Sequence, residues 1–243
     1  MKHLVGLLIV FMLLGTGKVF AEVDYTLWAG VLNKYVDEQG RVDYAGLMTN
    51  RRELDAFIGS LNRVDVSTLG EVDRMAFWIN AYNALTVQLI LDNYPVKSIR
   101  SIWRAWSIPH KIAQGQYTLS DIEHKILRPL GDPRIHFAIN CASIGCPQLL
   151  GKPFLPRQLN EQLTREAARF INDPEKVRLD KERNVLYLSA IFKWFAEDFE
   201  KSAGSVVNFV KKYVKPEDRA FLENNKISIK TLKYDWGLND QSR

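Results

Sequence analysis

Apolar positions recur at three- and four-residue spacing along most of the chain, and this pattern predicts a mainly helical protein. Over residues 24–36 the stripe is Trp28, Val31, Leu32, Tyr35 and Val36, which reads as an amphipathic helix. Asp37-Glu38-Gln39-Gly40 reads as a turn, and Arg41-Val42-Asp43-Tyr44 as a short extended piece. Helical spacing resumes over 45–61 through Leu47, Leu54, Phe57, Ile58 and Leu61. The next segment, 69–93, is different. From Met75 onward it is apolar almost all round, the pattern of a core helix, with Ser67 as its N-cap and Pro95 beyond its end. Asn80 and Asn83 lie inside that run and need partners within the protein, because an unpaired buried amide costs on the order of 1–3 kcal/mol.

The second half mixes periods. Residues 111–117 suggest a hairpin around Gln114-Gly115. Ser120-Asp121-Ile122-Glu123 has the spacing of a capping box opening a helix that ends before Pro129. Ile135, Phe137 and Ile139 alternate with His136, Ala138 and Asn140, the period of a strand. Residues 159–171 form an amphipathic helix with Leu163, Ala167 and Phe170 inward. Strands are expected at 177–179 and 185–188, and a short aromatic helix opens at Ile191-Phe192-Lys193-Trp194-Phe195. A helix at 206–214 and a last strand at 227–236 follow. Helices dominate and the short strands can pair as hairpins. The expected class is α+β, helices packed on a small, mostly antiparallel sheet. No repeat, low-complexity tract or linker divides the chain, so residues 22–243 read as one domain.

The first residues change the picture of compartment. Lys2 and His3 precede an apolar run at 4–14, and Val19-Phe20-Ala21 ends a segment that reads as a signal peptide, residues 1–21, cleaved after Ala21. The run is too short for a stable membrane span. The mature chain is expected to be periplasmic or secreted, without stable membrane insertion. Losing Lys2 and Lys18 lowers the formal charge from +5 to +3. The remaining basic residues are scattered and form no stripe interleaved with aromatics, so no nucleic-acid partner is expected.

Candidate chemistry concentrates between Arg134 and Leu149. Both cysteines of the chain, Cys141 and Cys146, lie there, with His124 and His136, two of the four histidines, close by in sequence. Cys141 follows the expected strand and precedes Ala142, Ser143 and Gly145, which leave a sulfur approachable. A nucleophilic thiol needs a base to ionise near neutral pH. His124, from a separate helix, is the preferred base. His136 is held in reserve, since an offset of five on one strand puts two side chains on opposite faces. Glu123 or Asn80 would orient or polarise, with Asn83 as further polar support. The expected reaction is acyl transfer on an amide, ester or thioester of a small-molecule or peptide substrate, with no cofactor and no metal. Plainer roles exist for each group: a cap for Glu123, a satisfied core position for His136, and backbone pins for Asn80 and Asn83. The aromatic run at 192–195 reads as core. The competing class is a non-catalytic periplasmic binding or scaffold module with a structural Cys141–Cys146 disulfide, the ordinary state of two cysteines in an exported protein. Two other readings use the same residues. One is a zinc set of His124, His136, Cys141 and Cys146, at a spacing that matches no finger or ribbon. The other is a redox pair in which Cys141 attacks and Cys146 resolves.

Three motifs carry a resemblance. Phe77-Trp78-Ile79-Asn80-Ala81-Tyr82-Asn83-Ala84, Ile122-Glu123-His124-Lys125-Ile126-Leu127-Arg128 and Arg134-Ile135-His136-Phe137-Ala138-Ile139-Asn140-Cys141 resemble the bacterial and plant domain-of-unknown-function family five-four-seven, over about residues 42–194. That resemblance implies a single domain and carries no established activity. The order histidine-then-cysteine is also similar to that of circularly permuted papain-like thiol hydrolases, which would imply a papain-like fold.

Overall fold

Trp28, Val31, Leu32 and Tyr35 fall on one buried face of α1 (Thr26–Tyr35). Trp28 stacks on Phe57 at 5.7 Å between ring centroids. This is a computed structural model, and it describes residues 23–242; the expected signal peptide lies outside them. The single helix expected over 45–61 is two, α2 (Tyr44–Thr49) and α3 (Arg52–Leu61). Thr49 Oγ1 donates back to the Gly46 carbonyl at 2.7 Å and Asn50 leaves helical geometry, so the ladder stops although the apolar spacing runs on.

The core helix is α4 (Glu71–Leu91), and every residue from Met75 to Val87 is buried. Ser67 is not its cap. Its hydroxyl is bonded to Asp65 Oδ1 at 2.6 Å within a separate turn, and α4 starts after Gly70 with Glu71 and Asp73 in its first turn. Both asparagines are paired, as burial requires. Asn80 donates to the Ala76 and Phe154 carbonyls and accepts from the Phe154 N–H. Asn83 donates to the Ala138 carbonyl and accepts from the Asn140 N–H. Two chain segments far away in sequence are thereby clamped to α4.

The hairpin is β1 (His110–Ile112) with β2 (Gly115–Tyr117), antiparallel with Ile112 opposite Gly115. Its turn is Ala113-Gln114, one residue earlier than expected. Both residues are left-handed, the conformation that suits a two-residue hairpin turn. The capping box is also earlier. Thr118 and Asp121 exchange it, opening α5 (Leu119–Asp121), and Glu123 takes no part. A π-helical turn, Ile122–Leu127, follows.

Residues 135–139 are not a strand. Asp132 accepts from the Arg134 N–H, Pro133 starts a helix, and Pro133–Phe137 forms a tight 3-10 turn. The alternation misleads because this segment lies between two cores. Ile135, Ala138 and Ile139 enter the core built around α4, whereas Phe137 enters a second one. Side chains are buried on all sides, and local turn bonds satisfy the backbone.

That second core draws on α6 (Leu159–Ile171), β3 (Val177–Asp180), β4 (Val185–Leu188), α7 (Ala190–Trp194), α8 (Ala196–Ala203), α9 (Val206–Lys211) and α10 (Pro216–Asn224), while β5 (Ser228–Thr231) pairs with β4 and is exposed. The ladder is antiparallel between β3 and β4 and parallel between β4 and β5. The α+β expectation holds, with helices dominating and two small sheets. Helices α8 and α10 were not anticipated, and the last strand is shorter than expected. After β5 the chain becomes a strap. Gly145 N donates to Asp235 O, Ile144 N to Gly237 O, and Asn239 N to Ala142 O, which lays residues 235–239 along the cysteine loop.

Candidate functional site

The strap, the π-helical turn and the cysteine loop enclose a cavity of about 320 Å³. Its floor is reactive: Cys141, Cys146, Glu123, His124 and His136 all line it. Its walls are aromatic. Trp194, Tyr234 and Trp236 lie 4.6–5.6 Å apart between ring centroids, and Trp106 meets Trp236 edge-on at 6.2 Å. Asn80 is turned to Phe154 and is not among the lining residues; Asn83 is likewise spent on the backbone of 138–140.

Cys141 and Cys146 are joined by a disulfide, and no described cysteine is free. The expectation of a free Cys141 thiol is therefore corrected. Cys146 is buried, whereas Cys141 is partly exposed. The Cys141 N–H donates to Cys146 Sγ at 3.0 Å. Tyr234 Oη lies 3.1 Å from Cys146 Sγ and 3.3 Å from Cys141 Sγ, and a disulfide sulfur carries no proton, so the phenol is the donor. Gly145 makes this approach feasible. A Cβ there would stand 2.8 Å from the Asp235 carbonyl and 2.9 Å from the Tyr234 ring. Ala142, between the cysteines, takes the left-handed conformation that closes the loop.

Glu123 is 8 % exposed, and its recorded hydrogen bond, from the Tyr82 hydroxyl, is long at 3.3 Å. Burial pushes its carboxyl up to about 7, against the pull of Tyr82 and Arg128. The π-helical turn that carries Glu123 and His124 is a geometry found often at functional positions.

His136 is 2 % exposed and stacks on Phe195 with ring centroids 3.9 Å apart. Its Nε2 lies 2.7 Å from Asp198 Oδ2. Arg128 grips the same carboxylate through Nε and Nη2 at 2.7 and 2.9 Å. Burial opposes an ionised Asp198, but the hydrogen bonds from His136 and Arg128 outweigh it and hold the carboxyl well below the usual range. Burial also lowers the His136 pKa, against the pull of Asp198, and so favours the neutral ring. With its proton on Nε2 facing Asp198, His136 Nδ1 carries a lone pair, and that buried atom has no partner. His124 is exposed at the rim. Arg128 Nη1, a donor only, lies 3.2 Å from its Nδ1, which makes that nitrogen an acceptor too.

Of the residues singled out from the sequence, both cysteines, Glu123 and both histidines line the cavity; Trp106, Tyr234 and Trp236, which line it too, and Asp198 and Arg128, which lie behind His136, were not singled out. The Tyr234-Asp235-Trp236 run was the available signal, absorbed into a strand. Trp194, expected in the core, is 47 % exposed at the cavity mouth. Among the described residues, no group of three or more His, Cys, Asp or Glu side chains is arranged to hold a metal ion, and the two sulfurs of the zinc set are bonded to each other. Nor is any described helix long and apolar enough to cross a membrane. A larger cleft of about 830 Å³ lies between the start of α1 and residues 153–158, away from the cysteines.

Residues 66–171 match the family model described as "Protein of unknown function, DUF547", and all three motifs that carried the resemblance fall inside them. No curated protein and no solved structure matched the chain.

Proposed function

We propose that this chain, whose residues 66–171 match the DUF547 family model, a family whose description names no reaction, carries out thiol–disulfide exchange in its cavity, with Cys141–Cys146 as the redox pair. The observation that carries the reading is the asymmetry of the two sulfurs. Cys141 is open to the cavity, while Cys146 is buried beneath two donors, the Cys141 N–H and the Tyr234 hydroxyl. Exchange needs one sulfur that can be attacked and another that leaves easily as a thiolate. A substrate thiolate attacks Cys141 Sγ, a new S–S bond forms, and the Cys141–Cys146 bond breaks. Cys146 leaves as a thiolate held by those two donors. A second substrate thiolate then attacks the substrate sulfur of the mixed disulfide and releases Cys141. Two electrons pass from two substrate thiols to the pair. The substrate leaves as a disulfide, and the cysteines take up the two protons it gave up. Glu123, close to half-protonated at neutral pH, can hold one of them inside the apolar cavity.

A structural staple is the competing account. The two cysteines are five apart in sequence, and closing so short a loop removes little chain entropy, worth about 2 kcal/mol. A bridge lining a cavity and joining no separate elements fits exchange better. An exported setting, where disulfides persist, suits the same reading.

Equilibration of the folded protein in dithiothreitol, then in glutathione disulfide, with thiol mass-tagging, tests it. The bond should open and close without unfolding, and Cys146→Ser should accumulate a glutathione adduct on Cys141. A bond that resists millimolar dithiothreitol until the protein is unfolded would make it a staple.

A further inference from the structure

We propose that, once the Cys141–Cys146 bond is open, the same cavity transfers acyl groups, with Cys141 as nucleophile, His136 Nδ1 as base and Asp198 as the residue that positions the imidazole. The argument starts from an orphan. His136 Nδ1 is a buried acceptor with no donor, in a cavity that also holds Cys141. Buried polar atoms are rarely left so, because the desolvation cost goes unreturned. The other ring nitrogen is fixed by Asp198, and Asp198 is fixed in turn by a two-pronged grip from Arg128. Stacking on Phe195 sets the plane of the ring. A carboxylate on one imidazole nitrogen and a free lone pair on the other is the arrangement that turns a neighbouring thiol into a nucleophile. His136 comes from the 3-10 turn and not from a strand, so the opposite-face objection to it no longer applies.

The groups that face His136 fit this role. Asp198, in contact with it, is neutralised by Arg128. His124 lies at the rim beside Arg128, with its own pKa lowered by burial first and by Arg128 second. Glu123 faces the same cavity. No free cation competes for the lone pair among them.

The step balances as follows. The Cys141 thiol gives its proton to His136 Nδ1, and the thiolate attacks the acyl carbon of an ester or thioester. The bond to the leaving group breaks, the leaving group takes the proton from His136, and a Cys141 thioester remains. Water, losing a proton to His136, then attacks the thioester. The acid leaves and the thiol is restored. The Tyr234 hydroxyl, 3.3 Å from Cys141 Sγ, is a donor beside the carbon under attack. The walls are Trp106, Trp194, Trp236, Tyr82 and Phe195, so the acyl group is apolar or aromatic and short enough for about 320 Å³.

Cys146→Ser, which cannot form the bridge, is the protein to use, with p-nitrophenyl butyrate as the probe. A nitrophenol burst equal to the thiol present, followed by turnover, is expected. Adding Cys141→Ser should abolish both. Adding His136→Gln should lower turnover about 100-fold or more, the range of a lost general base, with free imidazole restoring part of it. Since His136 is packed between rings, Asp198→Asn is the second variant; it keeps the side-chain shape and should lower turnover about tenfold. Iodoacetamide labelling of Cys141 across pH adds a readout that a merely structural histidine would not move. The apparent thiol pKa should lie below the ~8.5 of free cysteine and rise towards it in both variants. Butyrate hydrolysis no faster than that by glutathione, together with a labelling pKa near 8.5 that neither variant moves, would overturn the proposal. This proposal uses the cavity of the proposed exchange but is judged on ester hydrolysis, whereas exchange stands or falls on whether the wild-type bridge opens in dithiothreitol without unfolding, so either reading can fail without the other.

Discussion

Two sets of buried polar groups are built around α4. In one set Asn80 and Asn83 each use both the carbonyl and the amide group of the side chain on backbone partners, at 2.7–3.0 Å. In the other set Tyr82 reaches Glu123 at 3.3 Å, and in the same cavity His136 Nδ1 has nothing to bond. The residues are equally buried and differ in what burial gives them. Satisfied amides hold segments in register and rigidify the frame. Under-partnered titratable groups keep a reserve of affinity for protons and ligands. The same helix thus supports a frame and a site, and the quality of the hydrogen bonding tells them apart.

The sharpest way to break this contrast is at the clamp. Asn83→Ala leaves the Ala138 carbonyl and the Asn140 N–H unpaired, each at about 1–3 kcal/mol, so a loss of about 4 kcal/mol is expected from urea unfolding. The opposite sign is expected in the cavity. The Glu123 pKa rises from 4.5 to about 7 on folding. Between those values the folded state binds the proton and the unfolded state does not, so its contribution falls as pH rises through that window. Glu123→Gln should therefore stabilise the protein at pH 8 by on the order of 3 kcal/mol and change little below pH 4.5. A flat difference across pH would place Glu123 with the clamps.

Smaller effects sharpen the picture at the cysteine loop. Gly145→Ala must displace the Asp235 carbonyl or the Tyr234 ring. A loss of about 1–3 kcal/mol in urea unfolding is expected. Tyr234→Phe removes a single O–H. Reduction should slow about fivefold, the equivalent of about 1 kcal/mol for one hydrogen bond to the departing sulfur, with little change in the thermal transition.

Much of this was legible in the sequence, and the failures have physical causes. The unbroken apolar run from Met75 could only be a core helix, and two amides within it had to be paired. The cysteine loop was marked by composition. The strand assigned to 135–139 failed because its alternation came from two cores meeting at one segment. Glu123 was first read as a cap because Ser120 and Glu123 have the right spacing, while Thr118 and Asp121 have it too and won. Asp198 reaches His136, and Tyr234 and Trp236 reach the cavity, by tertiary contact alone, and no local period reports a partner 62 or 93 residues away.

The strap also gives the cavity a history. Tyr234 is 88 residues beyond Cys146. At the ~5–20 residues per second of protein synthesis, the cysteines are made about 4–18 s before the phenol that will sit against both. During that interval the loop lacks its cover, and Cys146 lacks one of its two donors. The redox state of the pair can thus be set in the growing chain, before the aromatic wall exists, by whatever thiols and disulfides the chain meets first. What closes the cavity last supplies the second donor and the aromatic wall, and from then on only thiols that the cavity admits reach the pair.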